Sequence, residues 1–176
     1  MSSRPMPALV FLAALAHLVG CSHPTSTTVA IPGTSAQGTA VTVTHVVDGD
    51  TIDVAAPGGT ERVRLLGIDT PETVKPNTPV QCYGPEASAR TKALLPAGTT
   101  VILQRDAEAR DRYGRLLAYV WRRQDGLFVN RSLVADGYAR ILSISPNTAH
   151  QADLSAARAG AEAAHRGLWG TCQAGR

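Results

Sequence analysis

Residues 47–72, V-D-G-D-T-I-D-V-A-A-P-G-G-T-E-R-V-R-L-L-G-I-D-T-P-E, restrict the fold more than any other stretch. Two apolar runs are split by Pro57-Gly58-Gly59, which reads as a strand, a hairpin turn and a second strand. Along R-V-R-L a period of two puts Arg62 and Arg64 on one face and Val63 and Leu65 on the other. Asp48 and Asp50 flank Gly49 at one end, and Asp69 and Glu72 bracket Thr70-Pro71 at the other. If the two ends meet in space, Asp50, Asp69 and Glu72 form a carboxylate cluster beside Arg64. Two like charges 4 Å apart near a surface repel by roughly 4 kcal/mol, so such a cluster calls for a cation. The stretch therefore reads as a metal site with an arginine wall. The plainer alternative is two tight turns carrying surface acids.

Further strands are expected at V-T-V-T-H-V-V (41–47), T-V-I-L-Q (100–104) and R-L-L-A-Y-V-W (115–121). With the two above they make five short antiparallel strands. A helix is inserted between the third and fourth at G-P-E-A-S-A-R-T-K-A-L-L, where Pro85 suits the first turn and Glu86 its positive end. Two more helices follow. One is short and stops at Gly137; the other is Ala-rich and runs to about His165, with Thr148 and Gln151 resembling a capping box. Five strands with an inserted helix predict an α+β domain built on a closed Greek-key barrel of the oligonucleotide-binding (OB) type, with three helices.

The N-terminus reads as an address rather than as fold. Arg4 and the apolar run Ala8–Val19 have the proportions of a secretory signal over residues 1–20, too short to span a bilayer. The run ends L-V-G-C, which resembles a bacterial lipobox with Cys21 as the acylated residue. Residues 22–40 are rich in Ser, Thr, Pro and Gly without period, so residues 21–40 are expected to form a disordered tether and the folded domain to span 41–172. Export leaves Cys82 and Cys172, an even pair that suggests a disulfide. Their spacing fits no zinc pattern and the five histidines are scattered. A formal charge of +3 permits a polyanionic substrate without requiring one, and 5% aromatics argue against a broad stacking surface.

V-D-G-D-T, R-V-R-L-L-G-I-D-T-P-E, Y-G-P-E-A-S-A, D-R-Y-G-R-L-L-A-Y-V and P-N-T-A-H occur in this order with compatible spacing, and together they resemble the staphylococcal nuclease (thermonuclease) family over roughly residues 41–170. The resemblance implies the OB barrel and a calcium-dependent phosphodiesterase acting on DNA and RNA. It implies Asp50 and Asp69 as direct calcium carboxylates, the Thr70 carbonyl as a further ligand and Asp48 as an acid behind them. Glu72 matches the general base for the attacking water. Arg64 and Arg115 match the arginines that hold the phosphate, and Tyr113 the tyrosine that hydrogen-bonds it. The implied products carry 3′-phosphates.

The residue types suit that chemistry. Phosphodiester attack builds negative charge on phosphorane oxygens, which arginine forks and a hard, oxygen-bound cation can offset. The sequence departs from the family in the segment R-I-L-S-I-S-P-N, where Ser143 and Ser145 are expected near two tyrosines that line the nucleotide pocket. Substrate affinity and base preference are expected to weaken there. The expected protein is a lipid-anchored monomer at the extracytoplasmic membrane surface that digests nucleic acid. A non-catalytic nucleic-acid-binding module is the competing reading. Against it, such a module need not keep Asp50, Arg64, Asp69, Glu72 and Arg115 together.

Overall fold

Period-two patterning drives most of the chain into strands. The computed structural model describes residues 27–172 apart from residues 35 and 75. Its strands before the first helix are β1 (Thr28–Ala30), β2 (Gln37–Asp48), β3 (Thr51–Ala56), β4 (Gly59–Leu65) and β5 (Gly67–Asp69). Helix α1 (Gly84–Leu94) follows, then β6 (Thr100–Gln104), β7 (Leu116–Arg122) and β8 (Leu127–Phe128). The chain ends with α2 (Val129–Ala135), β9 (Arg140–Leu142), α3 (Gln151–Ala163) and α4 (Leu168–Thr171). None of these helices is long and apolar enough to cross a membrane.

Five strands close into the expected barrel in the order β2-β3-β4-β7-β6, and a β2–β6 pairing seals it. Val43, Ile52, Val54, Val63, Leu65, Val101 and Val120 are fully buried and fill its core. Burying a Val or Leu side chain contributes about 1.5–3 kcal/mol relative to exposure, so this run of aliphatics is the main drive for closure. The barrel is mixed rather than wholly antiparallel: β4 and β7 are parallel, with Val63 opposite Leu116 and Leu65 opposite Ala118. A parallel pair needs a long crossover, and the intervening β5, α1 and β6 supply it.

The disordered tether expected over residues 21–40 is corrected from Thr28 onward. β1 pairs antiparallel with the start of β2, Thr28 opposite Thr39 and Ala30 opposite Gln37. Ile31, in the turn between them, is fully buried. One well-placed Ile and the open flank of a 12-residue strand suffice to order a segment whose composition resembles a linker. The signal sequence and Cys21 lie outside the described residues.

Two expectations about helices also change. A fourth, four-residue helix, α4, follows α3. The capping box does not form: α3 has no side-chain cap, and the Gln151 N–H donates to the Thr148 carbonyl (3.0 Å) instead. α3 docks through Leu154, Ala157 and Ala161, a buried stripe at helical spacing. Asn130 in α2 is fully buried and accepts from Val120 N–H (2.9 Å) while donating to the Leu66 carbonyl (2.8 Å). It thereby ties β7 to the β4–β5 junction.

The expected disulfide is present. Cys82 and Cys172 are bridged with a Cα–Cα distance of 5.9 Å across a sequence separation of 90. The bridge pins the segment before α1 to the end of α4.

Candidate active site

The two ends of the 47–72 stretch do meet. Asp48-Gly49-Asp50 forms the turn between β2 and β3, and it lies against Thr70. A Cβ on Gly49 would stand 2.6–2.8 Å from the Thr70 side chain, so only glycine permits this approach. Asp50 is buried. Its Oδ2 accepts from the Thr70 N–H (2.9 Å) and hydroxyl (3.1 Å), and its Oδ1 from the Thr51 hydroxyl (3.0 Å). These donors satisfy the oxygens of the buried carboxylate.

Arg64 lies opposite Thr51 in the β3–β4 register and faces this turn. Its Nη1 donates to the Leu65 and Ile68 carbonyls, both at 2.8 Å. Its Nη2 stands 3.2 Å from Asp50 and 3.0 Å from Asp69, and the side chain is only 13% exposed. Arg64 is thus held at four points in one orientation. Asp69 comes from β5, which leaves the barrel and pairs with β9, placing Asp69 opposite Arg140. Burial pushes the Asp69 carboxyl above its ordinary range. The Asp50 and Glu72 charges push the same way, against Arg64 and Arg140.

Asp48 is raised by burial as well, opposed by the Thr73 hydroxyl and the Gly49 N–H, and it faces Glu72. The Thr73 hydroxyl donates to Asp48 at 2.6 Å. Glu72 accepts from the Thr73 (3.0 Å) and Val74 (2.9 Å) N–H groups. Its backbone is gripped by Gln81, whose amide oxygen accepts the Glu72 N–H (3.1 Å) and whose N–H donates to the Glu72 carbonyl (2.9 Å). Gln81 and Thr73 carry no sequence signal for this work, because it depends on a loop returning to the start of α1.

Asp50 and Asp69 thus flank Arg64, and their oxygen-only donor set suits a hard divalent cation. The fit rests on two carboxylates, Asp50 and Asp69, reached by one guanidinium nitrogen. Among the described residues no group of three or more His, Cys, Asp or Glu side chains could hold a metal. A cation here would therefore need Asp50, Asp69 and the Thr70 carbonyl, with water completing its shell.

Arg115 and Tyr113 arrive from the 105–115 loop. Asp111 organises it: Oδ1 accepts from the Tyr113 (2.9 Å) and Arg115 (3.0 Å) N–H groups, and Oδ2 accepts Arg115 Nε (2.7 Å). Asp111 thus pairs with Arg115 and not with its sequence neighbour Arg112. The signal was the D-R-Y-G turn, since Asp favours such local bonds to its own backbone. Arg112 lies over the Tyr113 ring, 4.8 Å from its centroid, and donates to its hydroxyl (2.6 Å).

A cavity of about 540 Å³ brings Arg64, Tyr113 and Arg115 together with Leu66, Leu142 and Ile144. The expected place of Ser143 and Ser145 in it is corrected: Leu142 and Ile144 line this cavity, and both are exposed. Pairing of Leu142 with Gly67 fixes the β9 register that selects them. The wall is aliphatic rather than hydroxylic.

A protein-family model described as "Staphylococcal nuclease homologue" matches residues 62–171. Thermonuclease of Staphylococcus intermedius is 45% identical over 136 residues, which cover 77% of this chain and 79% of that protein. Thermonuclease of Staphylococcus hyicus is 44% identical over 127 residues, covering 72% and 73%. Endonuclease YncB of Bacillus subtilis is 46% identical over 109 residues, and the match spans 51% of its length.

Proposed function

The chain belongs to the staphylococcal nuclease homologue family and is a nuclease, a phosphodiester hydrolase; from that premise we propose that it is a calcium-dependent enzyme cutting DNA and RNA outside the cytoplasm. The observation that carries this reading is Arg64 Nη2 held between Asp50 (3.2 Å) and Asp69 (3.0 Å). That arrangement fixes a guanidinium charge beside the two acids that suit a cation.

Arg64 and Arg115 bind the scissile phosphate from one side of the shared cavity, Arg115 through the Nη groups that its Nε bond to Asp111 leaves over. Tyr113 adds a hydroxyl. Glu72 takes the proton of the attacking water. The phosphorus–O5′ bond breaks, leaving a 3′-phosphate and a 5′-hydroxyl. When bound by Asp50, Asp69 and the Thr70 carbonyl, calcium would supply Lewis-acid neutralisation of the developing charge. Asp48 holds the turn and Thr73 in place behind these ligands. Residues 1–20 act as signal, Cys21 carries the lipid anchor, and the enzyme works as a monomer at the membrane surface.

The test is digestion of single-stranded DNA by the purified full-length chain in detergent. It is run with calcium, with magnesium and with chelator, beside Glu72→Gln. Cleavage that requires calcium and collapses in the variant supports the reading. DNA that is bound yet uncut with every metal overturns it in favour of a binding module.

A further inference from the structure

We propose that the cavity next to the site is a second nucleotide subsite, in which Arg62 takes the phosphate adjacent to the scissile one. This rests on the nuclease reading and names the part of the substrate that lies beyond the cleaved bond. The cavity holds about 440 Å³ and is lined by Asp53, Thr60, Arg62, Tyr113, Gly114 and Arg115. Tyr113 and Arg115 also line the cavity that contains Arg64. The two spaces therefore adjoin across these side chains, and one strand can occupy both.

The spacing suits a polynucleotide. Arg62 and Arg64 are alternate residues of β4 on one face of the barrel wall. Residues two apart along a strand are separated by about 6.6 Å, of the same order as neighbouring phosphates along a nucleic-acid strand. Arg62 also repeats the arrangement of the two arginines assigned to the scissile phosphate. Arg64 is braced by Asp50 and Asp69, and Arg115 by Asp111. Arg62 is braced by Asp53, with Nε at 2.8 Å and Nη2 at 3.1 Å from its carboxylate. A braced guanidinium loses less freedom when it meets a phosphate, and its remaining N–H groups stay directed outward. His45 of β2 lies opposite Asp53 in the β2–β3 register, 3.9 Å from its carboxylate.

The cavity is also preformed. Arg110 grips Glu61 of β4 through two bonds (2.9 and 2.8 Å) and the Gly114 carbonyl at 2.7 Å. That clamp holds the 105–115 loop against the strand that carries Arg62.

The experiment compares the full-length wild type with Arg62→Ala and Arg62→Lys by fluorescence anisotropy in chelator, so that nothing is cut. The probes are labelled octathymidylate and, as competitor, thymidine 5′-monophosphate, which has one phosphate and cannot reach both sites. Arg62→Ala is expected to weaken octathymidylate binding about tenfold, as for loss of one charge-assisted contact. It should lower the slope of log affinity against log salt by about 0.7. Arg62→Lys should restore that slope. Monophosphate affinity should stay within twofold. Equal losses for both probes, or an unchanged octathymidylate affinity and salt slope, overturn the proposal. Failure of the nuclease reading would appear separately, in the digestion with metal.

Discussion

Asp111 holds Arg115 twice, through the guanidinium Nε at 2.7 Å and through the backbone N–H at 3.0 Å. The same carboxylate fixes the turn that presents Tyr113. Asp111→Ala is therefore expected to release together the two groups proposed to bind phosphate, Arg115 and Tyr113. We expect kcat/KM to fall by about tenfold or more, the loss of a positioned electrostatic donor. Thermal stability should change little, because surface ion pairs contribute about 0–1 kcal/mol. Steady-state kinetics beside a melting curve checks this.

Arg64 fills a nearly closed slot, so its charge and its fork can be separated. Arg64→Lys keeps the charge that Asp50 and Asp69 require, yet loses the paired N–H groups. The expected result is a kcat lower by roughly 100-fold with the fold retained. Arg64→Ala should in addition destabilise the domain by about 3–5 kcal/mol, because it leaves a buried carboxylate unpaired. Denaturant titration of the two variants separates these effects.

Gln81 positions Glu72 through its backbone. Gln81→Ala is expected to lower kcat several-fold while KM stays nearly constant, and Gln81→Glu, which keeps the acceptor oxygen, should recover much of it. A parallel rise in KM would point to general loosening of the loop instead.

Leu142 and Ile144 offer the cavity an aliphatic wall. Ile144→Tyr should strengthen substrate binding, since an aromatic platform under a base contributes about 1–3 kcal/mol. The expected readout is a KM for oligonucleotides lower by about tenfold, with kcat little changed.

His150 lies under the barrel wall, with its ring 4.4 Å from that of Tyr119 and its Nε2 3.0 Å from the Gln104 amide oxygen. Burial pushes its pKa below the ordinary value, against the pull of Asp153 and Asp106. The unfolded chain then takes up the proton first. The penalty is absent above the unfolded pKa of about 6.5, grows as pH falls through it and is complete below the folded value. His150→Gln should flatten the loss of melting temperature between about pH 7 and pH 5. An unchanged slope would count against this.

What the sequence made legible follows from local periodicity. The alternation R-V-R-L places Arg64 in the site without any knowledge of the fold, and the acids at both ends of the stretch announce its partners. The turn residues Gly49 and Pro71 mark where the chain changes direction. What stayed hidden depends on distant pairing. The parallel β4–β7 contact is set by the crossover and not by either strand. The choice of Leu142 and Ile144 over Ser143 and Ser145 comes from the register of a three-residue strand against β5. β1 escaped notice because Ile31 is a single apolar anchor in a Ser/Thr/Gly-rich run.

The Cys82–Cys172 bridge joins positions 90 residues apart. In the chain-entropy picture, closing such a loop stabilises the folded state by about 4–5 kcal/mol, which is a large share of a domain's total of about 5–15 kcal/mol. That contribution exists only where thiols are oxidised. With the two thiols reduced, the segment between Glu72 and α1 loses its tie to the end of α4, and the folded population is smaller. On the export reading proposed above, the hydrolase would thus be weakest where its maker's own nucleic acid lies and would gain stability on leaving it.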